Sequence, residues 1–252
     1  MQQILQNISA EKILTFLPDD FAGEIIIKDT TASTNADAKE YALCGARVGT
    51  AVIAETQTAG RGRLGRVFYS PEQSGIYLTI LLPAEHDTLL KITPFAGVAV
   101  CKTIESFSDE HPQIKWVNDV YLRGKKVCGI LSENIPQKSL AAVGMGINLY
   151  PAEFPEELRE IAGSVFTDTS ADKNAFIGTL IRNLTDRSLF ERTIHEYRRR
   201  SYVVGKHIRY IENGVQHEAD AVGIDDCGGL IIRENGSEKT LFSGEITLRL
   251  AE

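Results

Sequence analysis

From Thr58 to Arg66 the chain reads Thr-Ala-Gly-Arg-Gly-Arg-Leu-Gly-Arg, placing three arginines and three glycines in the seven positions from Gly60 onward. Cations alternate there with residues that let the backbone turn freely and approach a ligand closely. Such a loop suits an anion, gripped by guanidinium forks and exposed backbone N–H groups. It lacks the Lys-Ser/Thr ending of a P-loop, so nucleotide chemistry at this loop would be of another type. A solvated turn or a basic RNA-contacting loop has the same composition, and the rest of the chain has to decide.

Three further groups bear on that decision. Asp29-Thr30-Thr31-Ala32-Ser33-Thr34-Asn35 carries five hydroxyl or amide side chains in seven positions. Any one of Ser33, Thr34 and Asn35 serves as the N-cap of the helix that follows, while the whole run is more polar than a cap requires and would hydrogen-bond the neutral polar head of a ligand. Lys115-Trp116-Val117-Asn118-Asp119 puts a cation, a large aromatic, a carboxamide and a carboxylate within five residues, with Lys126 on the next apolar run. A pair of strands would bring Asn118, Asp119 and Lys126 near one another, as a surface ion pair of little energetic value or as part of a site. Val143-Gly144-Met145-Gly146-Ile147-Asn148-Leu149 is a strand with two glycines, which mark either a bulge or the close approach of a ligand.

The elements that must position these groups follow from periodicity. A short amphipathic signal covers residues 3–17 and stops near Pro18; Glu24–Lys28 is a buried strand and Ala36–Cys44 a helix. Thr50–Ala54, closed by Glu55-Thr56-Gln57, delivers the chain into the arginine loop, and Ser74–Leu82 is the next strand. Thr93 and Pro94 read as N-cap and N1 of a helix through Phe107. Strands at Ile114–Leu122 and Gly124–Leu131, a strand at Leu140–Leu149 and a short helix at Glu156–Ile161 come next. From Ser170 the apolar residues keep helical spacing to Arg198-Arg199-Arg200, three cations explained by carbonyl capping and the helix dipole. Beyond Ser201, Asn213-Gly214, Gly228-Gly229 and Asn235-Gly236 punctuate short β-rich runs, so residues 202–252 should form a small all-β barrel.

At 252 residues, 43% hydrophobic and 24% charged, the chain can bury one sizeable core and a small satellite domain. A net charge of −7 disfavours broad nucleic-acid or anionic-membrane binding and makes the arginine loop stand out. Four dispersed cysteines with no C-x-x-C pair point to reduced thiols rather than zinc. No signal peptide or membrane span is visible, which leads us to expect a cytoplasmic protein.

Taken in order, Gly60–Arg66, Lys115–Asp119 with Lys126, Gly144–Asn148 and Ser243-Gly244-Glu245-Ile246-Thr247-Leu248-Arg249 closely resemble the motifs of the biotin protein ligases (biotin–[acetyl-CoA-carboxylase] ligases), over about residues 25–250. The resemblance implies an α+β fold, a mixed β-sheet flanked by helices in a catalytic domain over residues 1–200, with an SH3-like all-β C-terminal domain over 201–252. It implies a two-step reaction in which biotin and MgATP give biotinyl-5′-AMP and pyrophosphate, and the adenylate then acylates one lysine of a biotin carboxyl carrier protein or domain. ATP and biotin are substrates, Mg²⁺ accompanies ATP, and no dedicated metal site in the protein is expected. By motif, Ser33, Thr34, Asn35, Gln57, Gly60, Arg61, Arg63 and Lys126 fall at the biotin site. Arg61, Arg63, Arg66, Trp116, Asn118, Lys126 and Asn148 fall at the ATP and adenylate site, with Arg63, Lys126 and Asp119 as catalytic candidates, Asp119 either orienting or deprotonating the acceptor amine or serving a Mg²⁺-linked or purely structural role.

Two positions depart from the family pattern: Val117 sits where Pro is common, and Leu64 where some members carry a cation. The winged-helix domain of repressor-type members has no counterpart in the sequence, so the expectation is biotinylation without transcriptional regulation or DNA binding, by a monomer or homodimer and with no membrane association. The alternatives are a lipoate or octanoate ligase, disfavoured because Ser33, Thr34, Asn35 and Gln57 supply more hydrogen bonding than a lipoyl tail needs, and a non-enzymatic nucleic-acid binder, disfavoured by acidic net charge and by the lack of aromatic-basic interleaving in 202–252.

Overall fold

The computed structural model describes residues 7–66, 68–85, 88–212, 214–242, 244 and 246–248. Residues 3–6 of the first amphipathic signal, together with Asn213, Ser243, Glu245 and Arg249, lie outside the described residues. In chain order the elements are α1 (Ala10–Leu14), β1 (Ile25–Thr31), α2 (Thr34–Leu43), β2 (Ala51–Gln57), β3 (Gly75–Pro83), α3 (Leu89–Phe107), β4 (Gln113–Lys115), β5 (Asp119–Leu122), β6 (Lys125–Ile135), β7 (Leu140–Asn148), α4 (Lys173–Thr185), α5 (Arg187–Glu191), α6 (Thr193–Arg199), β8 (His207–Glu212), β9 (Val215–Ile224), β10 (Leu230–Glu234), β11 (Ser237–Leu241) and β12 (Ile246–Leu248). Seven strands form one mixed sheet in the order β1-β2-β3-β7-β6-β5-β4, and five form a second in the order β11-β10-β9-β8-β12. Among the named strands only β1 and β2 pair in parallel, and the other strand pairs are antiparallel. The α+β architecture with an all-β C-terminal sheet is the one expected.

The large sheet is covered on both faces, which is why β3 reads as a nearly unbroken apolar run, buried from Gly75 through Leu82. On one face α2 packs Ala38 and Ala42 against Val52, Leu81 and Ala142. On the other, α3 and α4 bury Phe95, Val98, Ile104, Phe176 and Leu180 against Ile53, Ile80 and Val143. The α2 helix is only ten residues long, so it covers the sheet beside β2 and β3 and leaves the same face open from its N-terminus outward.

Several boundaries differ from the sequence expectation, each for a local reason. β1 runs on through Asp29, Thr30 and Thr31, because parallel pairing with Thr56 and Gln57 continues past the apolar run. α1 is a five-residue helix capped by Ser9. α3 begins at Leu89, so Pro94 lies inside it, and Thr93 bonds Ser132 Oγ at 2.9 Å instead of capping. The run from Ser170 is three helices: Asp186 Oδ1 accepts from the N–H groups of Ser188 and Leu189 and starts α5 where the apolar spacing alone continued.

Arg200 is more than a dipole cap. Only 4% of its side chain is exposed, and its guanidinium meets Glu105 at 2.8 and 3.0 Å on α3 and Glu196 on α6. Arg198 reaches the second sheet, donating to Ile224 O at 2.8 Å and Asp226 at 2.7 Å. Burial by itself would raise the Glu196 carboxyl, but hydrogen bonds from Arg200 and Arg199 and the charges of Arg200 and Lys102 bring it down to about 2.

A depressed carboxyl contributes stability that is present above its unfolded value of 4.5 and lost as pH falls toward about 2. Glu196→Gln is therefore expected to lower unfolding free energy by about 1–2 kcal/mol near neutral pH and by much less near pH ~3, read by urea denaturation. Equal losses at both pH values would show that the charge on Glu196 is not what stabilises this corner.

Candidate active site

The open part of the α2 face holds a cavity of about 300 Å³. Its sheet floor is made by glycines. Gly146 pairs with Gly129 across β7 and β6, and Gly144 pairs with Thr79 on one side and Leu131 on the other. A Cβ on Gly146 would run into the Phe68 ring, and one on Gly144 would overlap Asn35 Oδ1. Absent side chains thus make the room that two other side chains use.

The end of the cavity at the α2 N-terminus is neutral and densely hydrogen-bonded. Ser33 occupies the N-cap position without a side-chain cap bond. Thr34 N–H donates to Gln57 Oε1 at 2.9 Å, and Gln57 Nε2 donates to Ser70 Oγ at 3.3 Å. The Asn35 amide reaches across three strands: its nitrogen donates to Leu131 O at 3.1 Å and Glu133 Oε2 at 2.8 Å, and its oxygen accepts from Thr79 Oγ1 at 2.7 Å. Lys39 holds the other oxygen of Glu133 at 2.5 Å. Burial raises the Glu133 carboxyl, but the hydrogen bonds from Lys39 and Asn35, with the charges of Lys39 and Arg61, outweigh it and hold the group below the ordinary carboxylate range.

The other end is cationic. Arg63 donates to Asn118 Oδ1 and to Gly244 O, both at 3.2 Å, tying the arginine loop to the β4–β5 turn and to the segment before β12. That turn, Trp116–Asn118, contains a cis peptide bond between Trp116 and Val117. Asn118 is itself fixed by donating to Ile130 O at 2.9 Å, and Trp116 Nε1 donates to Gly228 O at 3.0 Å. Lys126 Nζ lies 2.8 Å from Asp119 Oδ1, an oxygen that is buried and accepts no hydrogen bond, so the contact is a close ion pair rather than an aligned hydrogen bond. Beneath them Cys128 is fully buried, and burial pushes its thiol up. Ile130, Leu131, Met145 and Phe68 line the cavity with apolar surface, and the 154–162 segment, with Phe154, Leu158 and Ile161, makes its outer wall. Lys126 N–H donates to Ile161 O at 2.8 Å and Asn148 Nδ2 to Gly163 O at 3.0 Å, which hold that wall in place.

Of the residues singled out from the sequence, Ser33, Thr34, Asn35, Gln57, Arg61, Arg63, Arg66, Trp116, Asn118, Asp119, Lys126 and Asn148 all line this cavity. Gly60 stands just behind it, where a Cβ would press on Ser70 Oγ and Phe68 O. Sequence reasoning passed over Thr79, Glu133, Ser70 and Phe68. Thr79 sits in an apolar strand where Thr is an ordinary β-branched residue, and Glu133 meets Asn35 across 98 positions of chain. Phe68 and Ser70, a few residues past the loop, carried the one available signal.

The family model for the biotin/lipoate A/B protein ligases matches residues 27–149, and that for the biotin protein ligase C terminal domain matches 203–249. The chain is 31% identical over 264 residues to the bifunctional ligase/repressor BirA of Bacillus subtilis, covering 96% of this chain and 79% of that protein. It is 33% identical over 236 residues to the biotin–[acetyl-CoA-carboxylase] ligase of Mycobacterium tuberculosis, covering 86% and 85%. Among solved structures, the biotin protein ligase from Aquifex aeolicus in complex with biotin and ATP superposes with a TM-score of 0.76 at 27% identity, over 90% of this chain and 99% of that one.

The fit of Asn35 over Gly144 can be tested without any ligand. Gly144→Ala should destabilise by about 1–3 kcal/mol through overpacking, and in an Asn35→Ala background the same change should cost at least ~1 kcal/mol less. Strictly additive losses in urea unfolding would mean that Asn35 does not fill the space above the glycine.

Proposed function

The chain belongs to the biotin/lipoate A/B protein ligase family, and we propose that it is an ATP-dependent biotin protein ligase that forms biotinyl-5′-AMP and transfers the biotinyl group to a lysine of a biotin carboxyl carrier domain of the acetyl-CoA carboxylase type. One observation carries the choice of substrate. A single cavity joins a neutral end of hydroxyls and carboxamides, an apolar middle and a cationic end, which is the sequence of properties along biotin: a cyclic urea, a thioether ring with an aliphatic tail, and a carboxylate. In this reading residues 1–200 form the catalytic domain and 201–252 the SH3-like one, with Gly244 O supporting Arg63 from the latter.

In the first step the biotin carboxylate attacks the α-phosphorus of ATP, the bond to the bridging oxygen breaks, and pyrophosphate leaves. Two anions must meet, so Arg63 and Lys126 offset their repulsion and stabilise the charge that develops on the α-phosphoryl oxygens. Both cations are already positioned by neighbours, which lowers the reorganisation needed at the moment of reaction. Arg61 and Arg66 add positive potential along the loop, Trp116 and Asn118 frame the nucleotide end, and Asn148 keeps the outer wall beside it. Asp119 is the only carboxylate among the described residues that line the cavity, so Mg²⁺ enters with the ATP phosphates.

In the second step the ε-amine of the acceptor lysine attacks the acyl carbon, the acyl–oxygen bond to AMP breaks, and the amine loses a proton. An unperturbed lysine has a pKa of ~10.4, so the incoming amine needs a base. Asp119 takes that role here: once the acyl phosphate draws Lys126 toward it, the Asp119 carboxylate is released to accept the proton. Water is kept from the reactive anhydride by the arginine loop on one side and by Phe154, Leu158 and Ile161 on the other.

With MgATP and biotin the purified protein should release pyrophosphate and label a carrier-domain lysine, and lipoate should support neither; labelling with lipoate alone would sink the assignment. Arg63→Ala and Lys126→Ala should each slow adenylation by about 10²-fold with a smaller change in biotin affinity. Asp119→Asn should slow transfer from preformed adenylate more than it slows adenylate formation, as single-turnover kinetics of the two steps would reveal.

A further inference from the structure

We propose that Thr79, a fully buried residue behind the cavity wall, is a positioning residue that sets the hydrogen-bond sense of the neutral end and so selects a ligand head that carries a ring N–H. The inference rests on the biotin reading above. Backbone groups fix the orientation of both carboxamides. Leu131 O can only accept, so the Asn35 nitrogen faces it at 3.1 Å, and the Asn35 oxygen therefore faces Thr79 Oγ1 at 2.7 Å. Thr34 N–H can only donate, so the Gln57 oxygen faces it at 2.9 Å and the Gln57 nitrogen faces Ser70.

A hydroxyl carries one proton. The Thr79 proton goes to Asn35 Oδ1, which can only accept. The 2.8 Å contact between Thr79 Oγ1 and Thr34 Oγ1 then needs the proton of Thr34. Two hydroxyl protons serve three oxygen contacts, and they go to the shorter two; Thr34 therefore turns its hydrogen inward, forgoes the longer 3.2 Å bond that it could donate to Gln57 Oε1, and is left with lone pairs to offer a ligand. Beside it, Gln57 Nε2 bonds Ser70 through one N–H and keeps a second. An acceptor next to a donor complements adjacent N–H and C=O groups of a cyclic urea. A head with oxygen in place of that N–H would set lone pair against lone pair at Thr34.

The relay is anchored at its far end. Glu133 Oε2 takes the second Asn35 N–H at 2.8 Å while Lys39 neutralises the other oxygen. Thr79 is 0% exposed and Asn35 is 6% exposed, so water does not substitute readily for a lost partner. Gly144, the cross-strand neighbour of Thr79, leaves the gap through which the Asn35 oxygen reaches it.

Thr79→Val keeps the shape and removes the proton. Relative to wild type, it should raise KM for biotin about tenfold in biotin-dependent pyrophosphate release, with kcat within about twofold. It should also narrow the preference for biotin over a cyclic-carbamate analogue, in which oxygen replaces one ring N–H, by about fivefold or more, because the Thr34 hydroxyl is then free to donate. Thr79→Ser, which keeps the hydroxyl, should restore both values. Should Thr79→Val fail to fold, Glu133→Gln carries the test: it keeps an oxygen for Asn35 without the charge and should raise KM about threefold at unchanged kcat. A biotin-active wild type whose T79V variant keeps the parental KM and discrimination, or whose T79S variant loses them equally, would overturn the inference alone, as would an E133Q of unchanged KM. Wild-type protein that releases no pyrophosphate with biotin would overturn the ligase reading and this inference together.

Discussion

A seven-stranded sheet buried on both faces leaves no room for a ligand unless side chains are missing from it, and that constraint organises this molecule. Gly129, Gly144 and Gly146 remove three side chains from neighbouring positions on one face of β6 and β7. α2 ends level with the first of the gaps, so the helix that covers the rest of that face stops where the cavity starts. Glycine in a strand interior weakens it by roughly 0.5–1 kcal/mol relative to alanine. Here the loss is offset in kind: Asn35 bonds to two strands above Gly144, and the Phe68 ring lies against Gly146 and Gly129.

At the cationic end, a cluster of positive side chains must be held together before any anion arrives. Arg63 is steadied by a carboxamide and a carbonyl, Lys126 by a carboxylate that it touches as an ion pair without an aligned hydrogen bond. These are partners that a phosphate or carboxylate can displace or join at little cost, because none of them is a well-aligned buried ion pair. The contrast is Arg200, almost fully buried and bonded to two carboxylates. That arginine is locked; those at the cavity are poised.

Much of this was legible in the sequence because the chemistry is local there. The arginine loop, the Ser33–Asn35 run and the Trp116–Asp119 turn are each a few residues long, and strand alternation places them at strand ends. What escaped were partners that become neighbours only through sheet register. Thr79 and Glu133 lie on strands whose pairing order, β3-β7-β6, is not deducible from spacing. Pro94 misled because proline favours the first helical turn, yet α3 extends upstream to Leu89. The break at Asp186 was masked by apolar spacing that runs through it, and Arg200 read as a cap because its partner Glu105 is 95 residues away.

The same register argument explains why the two ends of the cavity differ so sharply. Along β6 the residues facing the cavity side change from Glu133 and Leu131, beside α2, to Gly129, and then to Lys126 past the bulge opposite Val120 and Tyr121. The Glu133 end is negative, and its charge is taken up by Lys39 and the Asn35 amide, so it presents no net charge to a ligand. At the Lys126 end the cation is paired with Asp119, its one carboxylate partner among the described residues. One strand therefore carries a neutralised anchor at one end and a displaceable ion pair at the other. A ligand laid along it would meet fixed dipoles first and a displaceable ion pair last, so in the proposed reaction recognition of the head and activation of the carboxylate are separate physical tasks on a shared frame.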